Sequence, residues 1–154
     1  MNNELQHHGI LGMKWGVRRY QNEDGSLTPA GQKRYNTMRD ASAYAKARGD
    51  VWKRSYDDEK KSIQKYKEKY SGENGLKKYK KDWDDPNMSD KEAERLLKVD
   101  IKDMELNAQS MQSLAKEWYD QADTFQRYNV SDIPSKLLNK GKKYAKEWER
   151  WNKG

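Results

Sequence analysis

The sequence predicts an all-α protein, an elongated helical hairpin or three-helix bundle with coiled-coil-like seams, preceded by a short irregular or hairpin module. Three observations predict it. Residues 89–128 run for about forty residues without Gly or Pro, and their apolar side chains fall at Leu97, Ile101, Met104, Ala108, Met111, Ala115, Trp118, Ala122 and Phe125. Steps of four and three are the period of a helix packed along a seam. The same spacing recurs at Tyr35, Met38, Ser42, Ala45, Gly49, Trp52, Tyr56, Glu59, Ile63, Tyr66 and Tyr70, and again at Leu137, Gly141, Tyr144, Trp148 and Trp151. Finally, 37% charged against 33% hydrophobic residues, with a mean hydropathy of -1.42, excludes a thick globular core and permits thin helical layers. The expected domains are residues 1–28, the module, and residues 29–154, the bundle, with helices at about 29–70, 89–128 and 133–152 and a linker at 71–88.

Each element has its own signals. In the module, Asp24-Gly25 is a strong turn signal, and Val17 to Tyr20 with Leu27-Thr28 would form the two short arms of a hairpin. Thr28 reads as the N-cap of the first helix and Pro29 as its first residue. Gly49-Asp50 predicts a bend or a break into two helices, and Ser71-Gly72-Glu73-Asn74-Gly75 a stop. Leu76 to Trp83 reads as a short basic helix closed by Asp84-Asp85-Pro86-Asn87. Ser89 and Glu92 have the spacing of a capping box at the head of the central rod, about 60 Å long at helical rise. A turn at Asn129 to Pro134, with Ser131 or Asp132 as cap, leads into the last helix. Six Trp and ten Tyr against one Phe imply seams built from rings that bury their bodies and keep a polar tip wet.

Charge is distributed unevenly. Lys and Arg against Asp and Glu number 3 and 3 in residues 1–28, 16 and 10 in 29–88, 6 and 9 in 89–130, and 7 and 3 in 131–154. An acidic rod between basic segments suits internal pairing of helices, and also suits contact with phosphates. Heptads serve pairing within the chain and self-association with another copy equally. The absence of Cys removes disulfides and thiolate chemistry and fits a reducing compartment. No apolar run reaches the roughly 18 residues of a membrane span, and the first residues lack the pattern of a signal peptide. The expectation is a protein with no membrane segment, made in a cytoplasm.

The string from His7 to Asn22, then Asp24-Gly25-Ser26-Leu27-Thr28-Pro29-Ala30-Gly31 and Lys33-Arg34-Tyr35, resembles an N-terminal module of proteins encoded by tailed phages and prophages of gut Firmicutes. The pattern there is approximately HHGIxGxKWGxRRYQNxDGxLTxxGxxRY. The resemblance covers residues 6–35 and implies phage origin; proteins with this module are structural, head-associated or of unknown function, and their C-terminal parts vary widely. It places the protein in the host cytoplasm when made, and in the virion afterwards.

The chemistry of the candidate sites is that of binding. His7 and His8 are neighbours and would point to opposite faces of a strand, so they do not jointly chelate a metal, and no third His or Cys completes a site. No cofactor is expected. No nucleophile elbow, oriented base or phosphate loop is present, so no enzyme is expected. As a recognition peptide, His7, His8, Ile10, Met13, Lys14, Trp15, Arg18, Arg19 and Tyr20 would meet a partner, Trp15 and Ile10 filling a pocket and the arginines meeting carboxylates or phosphates. Alternatively Trp15 and Ile10 cover the open end of the bundle. Lys77, Lys78, Lys80 and Lys81 interleaved with Tyr79 and Trp83 resemble a stacking platform for nucleic acid, although a solvated cap with both aromatics packed downward is preferred. Lys142, Lys143, Lys146 and Arg150 would flank the last seam, which is used first for helix packing and otherwise for an anionic partner. The leading expectation is a phage accessory protein, virion-associated or packaged, that binds a phage structural protein. An alternative is a small inhibitor of a host defence nuclease, of the anti-CRISPR kind, that blocks a host effector's protein or guide-RNA surface. A second alternative is a nucleic-acid-binding structural protein.

Overall fold

The structure, a computed structural model, describes residues 19–154. Among them four helices follow one another: α1 (Pro29–Lys69), α2 (Gly75–Asp82), α3 (Asp90–Gln126) and α4 (Ser135–Lys153). The fold is all-α, and one isolated antiparallel bridge pairs Gln21 with Leu27. Among the described residues no helix is long and apolar enough to cross a membrane.

The seams lie where their period puts them. All nine predicted positions of α3 are buried or half-buried, and so are those of α1 except Tyr35, which is 48% exposed. Gly49 does not break α1, which runs through it without interruption. One weak residue costs only about 1 kcal/mol relative to Ala, and some twenty helical residues flank it on either side. The capping box at Ser89 is half formed. The Ser89 hydroxyl accepts the Glu92 N–H at 3.2 Å, but the Glu92 carboxylate turns down the helix to take both Arg95 donors, at 2.6 and 3.0 Å. At α4 neither Ser131 nor Asp132 caps. Pro134 holds an extended backbone immediately before Ser135, so the helix starts after the proline, later than expected.

The described residues gather into two compact units, one made of those up to Arg48 with Trp118–Gly154, the other of Gly49–Glu117. In the first, the early part of α1 lies antiparallel to the end of α3, with α4 against both. Its core is Met38, Ala41, Ala45, Ala122, Phe125 and Ile133, with Trp118, Leu137, Leu138 and Tyr144 packed around it. Small residues let the backbones approach, and the buried Ser42 is satisfied there. Its hydroxyl donates to the Ala122 carbonyl at 2.9 Å and accepts from Gln126 at 2.8 Å. Tyr44 collects Trp118, Tyr144 and Trp151 edge-on at 5.4 to 6.1 Å.

In the second unit, the later part of α1 packs with α2 and the beginning of α3. The core is aromatic: Tyr70, Tyr79 and Ala93, surrounded by Tyr66, Leu76, Met88, Leu96 and Leu97. The polar tips are used, since the hydroxyls of Tyr66 and Tyr79 donate to one carboxylate oxygen of Asp100 at 2.9 and 2.6 Å. That of Tyr70 donates to Asp82 at 2.8 Å. Burial first, and the hydrogen bond to Asp100 second, push both Tyr66 and Tyr79 well above the ordinary tyrosine range.

Candidate binding surfaces

The described end of the N-terminal module is tied to the bundle by the residues of the Asp-Gly motif. Asp24 accepts from the Ser26 N–H at 2.9 Å and the Ser26 hydroxyl at 2.6 Å. The Ser26 hydroxyl first, and its N–H second, hold the Asp24 carboxyl below the usual range. Gly25 supplies the left-handed backbone, with φ of +84°. The Thr28 hydroxyl donates to the Arg19 carbonyl at 2.7 Å and accepts the Gly31 N–H at 3.1 Å, so one side chain caps α1 and fastens the module to it. The Arg34 guanidinium lies 4.1 Å over the Tyr20 ring and donates to the Ile133 carbonyl at 3.1 Å.

This clasp corrects two expectations. Arg19 and Tyr20 are helical, so they do not form the expected strand arm; among the described residues one bridge pairs Gln21 with Leu27, flanked by the Thr28 N–H donating to the Tyr20 carbonyl at 3.0 Å and the Asn22 N–H to the Ser26 carbonyl at 2.7 Å. Tyr20 is occupied by Arg34 and offers its ring to α1, whereas Arg19 remains exposed. The other module residues expected to meet a partner, His7, His8, Ile10, Met13, Lys14, Trp15 and Arg18, lie outside the described residues, as does Val17.

On α2 the expected platform divides. Tyr79 is completely buried and presents no face to a base, while Trp83 is 55% exposed. The expected cap is therefore half right, with one aromatic packed downward and the other outward. Eight-residue α2 has room for one inward stripe, and Tyr79 occupies it beside Tyr70, at 5.2 Å between ring centres. Lys77, Lys78 and Lys81 are exposed, and Lys80 pairs with Asp90 at 2.5 Å. The four lysines line an open groove of about 750 Å³, floored by Leu76 and Pro86, that also admits the carboxylates of Glu73, Asp84 and Asp90.

On α4, Lys142, Lys143, Lys146 and Arg150 all face outward. Arg150 pairs with Glu147 at 2.7 Å, and Lys153 pairs with Glu149. Of the expected stripe, Leu137 and Tyr144 pack against the core and Gly141 is buried, whereas Trp151 is 43% exposed; Leu138, outside that stripe, packs against the core as well. The α2 and α4 surfaces belong to different units.

Sequence reasoning missed Arg34 and Gly31, whose roles depend on what the folded chain brings beside them. It also missed a pocket of about 320 Å³, where Met38, Phe125, Val130 and Ile133 supply the apolar lining, Arg39 and Gln126 a polar one, and the exposed Tyr35 and Tyr128 stand beside them. The one available signal was Tyr128, an aromatic lying beyond the last seam position. Among the described residues no three His, Cys, Asp or Glu side chains gather as a metal site would require.

Residues 1–22 match a family of unknown function, DUF7211. The match covers the first part of the module and ends at Asn22, within the turn. No curated protein and no solved structure matches the chain.

Proposed function

We propose that this is a phage-encoded accessory protein that acts by protein binding, with the N-terminal module as its docking peptide. The observation that carries the reading is the clasp of Thr28, Gly31 and Arg34 on Arg19 and Tyr20. It holds Arg19 and Tyr20, the residues to which 1–18 are joined, against α1. A docking peptide so rooted loses less freedom on binding than one on a loose linker. The pocket with Tyr35 and Tyr128 lies on the same unit and offers a partner a recess for a large side chain. The resemblance of residues 6–35 to phage modules supplies the partner class, a structural protein of the virion.

The test uses the full chain with a C-terminal tag, expressed during infection by the encoding phage, and the same chain lacking residues 1–18. The expected result is tagged protein in purified virions, falling at least tenfold without residues 1–18. Full-length protein absent from virions overturns the reading. A second reading, inhibition of a host defence nuclease, draws on the lysine-lined groove of α2, whose exposed Lys77, Lys78 and Lys81 suit an acidic surface. It predicts that a host nuclease co-purifies in stoichiometric amount and is lost from the variant Lys77→Glu/Lys78→Glu/Lys81→Glu.

A further inference from the structure

Most cations of α4 have no paired carboxylate among the described residues. The helix carries seven Lys and Arg and two Glu. Both glutamates are already engaged, Glu147 by Arg150 and Glu149 by Lys153. The hydrogen bond from Lys153 holds the Glu149 carboxyl below its ordinary range. Lys136, Lys142, Lys143 and Lys146 are exposed and, among the described residues, have no carboxylate within ion-pairing distance, while Lys140 lies 5.5 Å from the Tyr144 ring. The pairs Lys136/Lys140, Lys140/Lys143, Lys142/Lys146 and Lys143/Lys146 are three or four residues apart, so like charges are neighbours along the outer surface. This repulsion persists in the free protein and is relieved by a polyanion.

The groove of α2 lacks this character. There Glu73, Asp84 and Asp90 stand among the lysines, and Lys80 is already paired. Insertion of α4 into a bilayer is disfavoured, because the apolar side chains it would need, Leu137, Leu138 and Tyr144, are packed in the core. Besides Trp151 and Arg150, whose guanidinium is engaged by Glu147, what remains outward is a row of lysine point charges recurring every three or four residues, about 4.5 to 6 Å of rise. Phosphates recur at about 3.4 Å per strand of a duplex, so the row matches the backbone in sign, repeats at a coarser interval, and reads no particular sequence.

We infer that the outer face of α4 binds duplex nucleic acid through its phosphate backbone, without sequence preference. The inference is independent of the docking reading, and its failure leaves the virion test untouched.

The experiment is fluorescence anisotropy of the full chain with two labelled DNA duplexes of unrelated sequence across a salt series. The two duplexes should bind within about twofold of each other, and about four phosphate contacts give a log–log salt slope near -3.6. Affinity should then fall about a hundredfold between about 50 and 200 mM salt. The variant Lys142→Glu/Lys143→Glu/Lys146→Glu should lose at least tenfold, whereas Lys77→Glu/Lys78→Glu/Lys81→Glu, with the same change in net charge, should stay within about threefold. Circular dichroism verifies folding, and the milder Lys142→Gln/Lys143→Gln/Lys146→Gln variant should still flatten the salt slope if the reversed one unfolds. Absence of binding at low salt overturns the inference, as do equal losses in the two triple variants. So does capture of the protein by phosphatidylserine vesicles that excess duplex fails to displace.

Discussion

Gly31 faces the Tyr20 backbone with no room for a side chain: a Cβ there would lie 1.9 Å from the Tyr20 carbonyl oxygen and 2.8 Å from its carbon. Helix propensity alone would favour Ala at this position by about 1 kcal/mol. The obstacle is backbone, however, which cannot rotate away as a side-chain tip can. Gly31→Ala should therefore lose about 1 to 3 kcal/mol, the cost of forcing atoms into a filled space. Gly141 is the internal control. Its added Cβ would meet the Met38 sulfur at 2.9 Å, the flexible end of a side chain, and the same substitution there should cost less. Chemical denaturation of the two variants checks this, and a Gly31→Ala midpoint at or above wild type would show that the Tyr20 carbonyl is free to move. Thr28 and Asp24-Gly25 were legible as cap and turn because their chemistry is local. Gly31 and Arg34 were not, since their partners come from Tyr20 and Ile133.

Helices α1 and α3 were legible almost residue by residue, because a thin bundle buries one stripe and the stripe's period is carried by the side chains. The failures fall at ends and at single residues. Tyr35 keeps the period but stands outside, beside the recess lined by Met38 and Phe125. Tyr79 in α2 and Trp83 at its C-cap differ wholly in burial, a difference set by which of them meets Tyr70. At the head of α3, spacing correctly named Ser89 as a cap but not the choice made by Glu92. An arginine three residues further on competes for its carboxylate with a single backbone N–H, and Arg95 holds that carboxyl below its ordinary range. Ser89→Ala should consequently lower stability by about 1 kcal/mol, the usual worth of an N-cap hydroxyl, while Glu92→Gln changes it little. Thermal melts of the two single variants compare them, and equal losses would restore the reciprocal box.

At the scale of the whole molecule, the exposed ion pairs contribute little and the buried phenols contribute much. Most of the pairs join residues three or four apart on one helix, with both side chains largely in solvent. The phenols are different, because each unit holds tyrosine that the fold keeps neutral. Tyr66 and Tyr79 are raised by burial and then by Asp100. Tyr144 is raised by burial and then by Tyr44. A tyrosine in the unfolded chain ionises near pH 10, so below about pH 10 both states are protonated and this contribution to stability is present in full. Above it the unfolded chain loses protons that the folded chain retains, and stability falls as pH rises toward the folded-state values. The melting temperature should hold level from about pH 7 to 9 and decline steeply beyond about pH 10. Lysines also titrate there, so the variant Tyr66→Phe/Tyr79→Phe separates the two. It should melt lower at neutral pH, since Asp100 loses both donors, and should show a shallower alkaline decline, since two of the groups that drive it are gone. An alkaline slope unchanged in that variant would assign the decline to the lysines and remove the Asp100 cluster from the account.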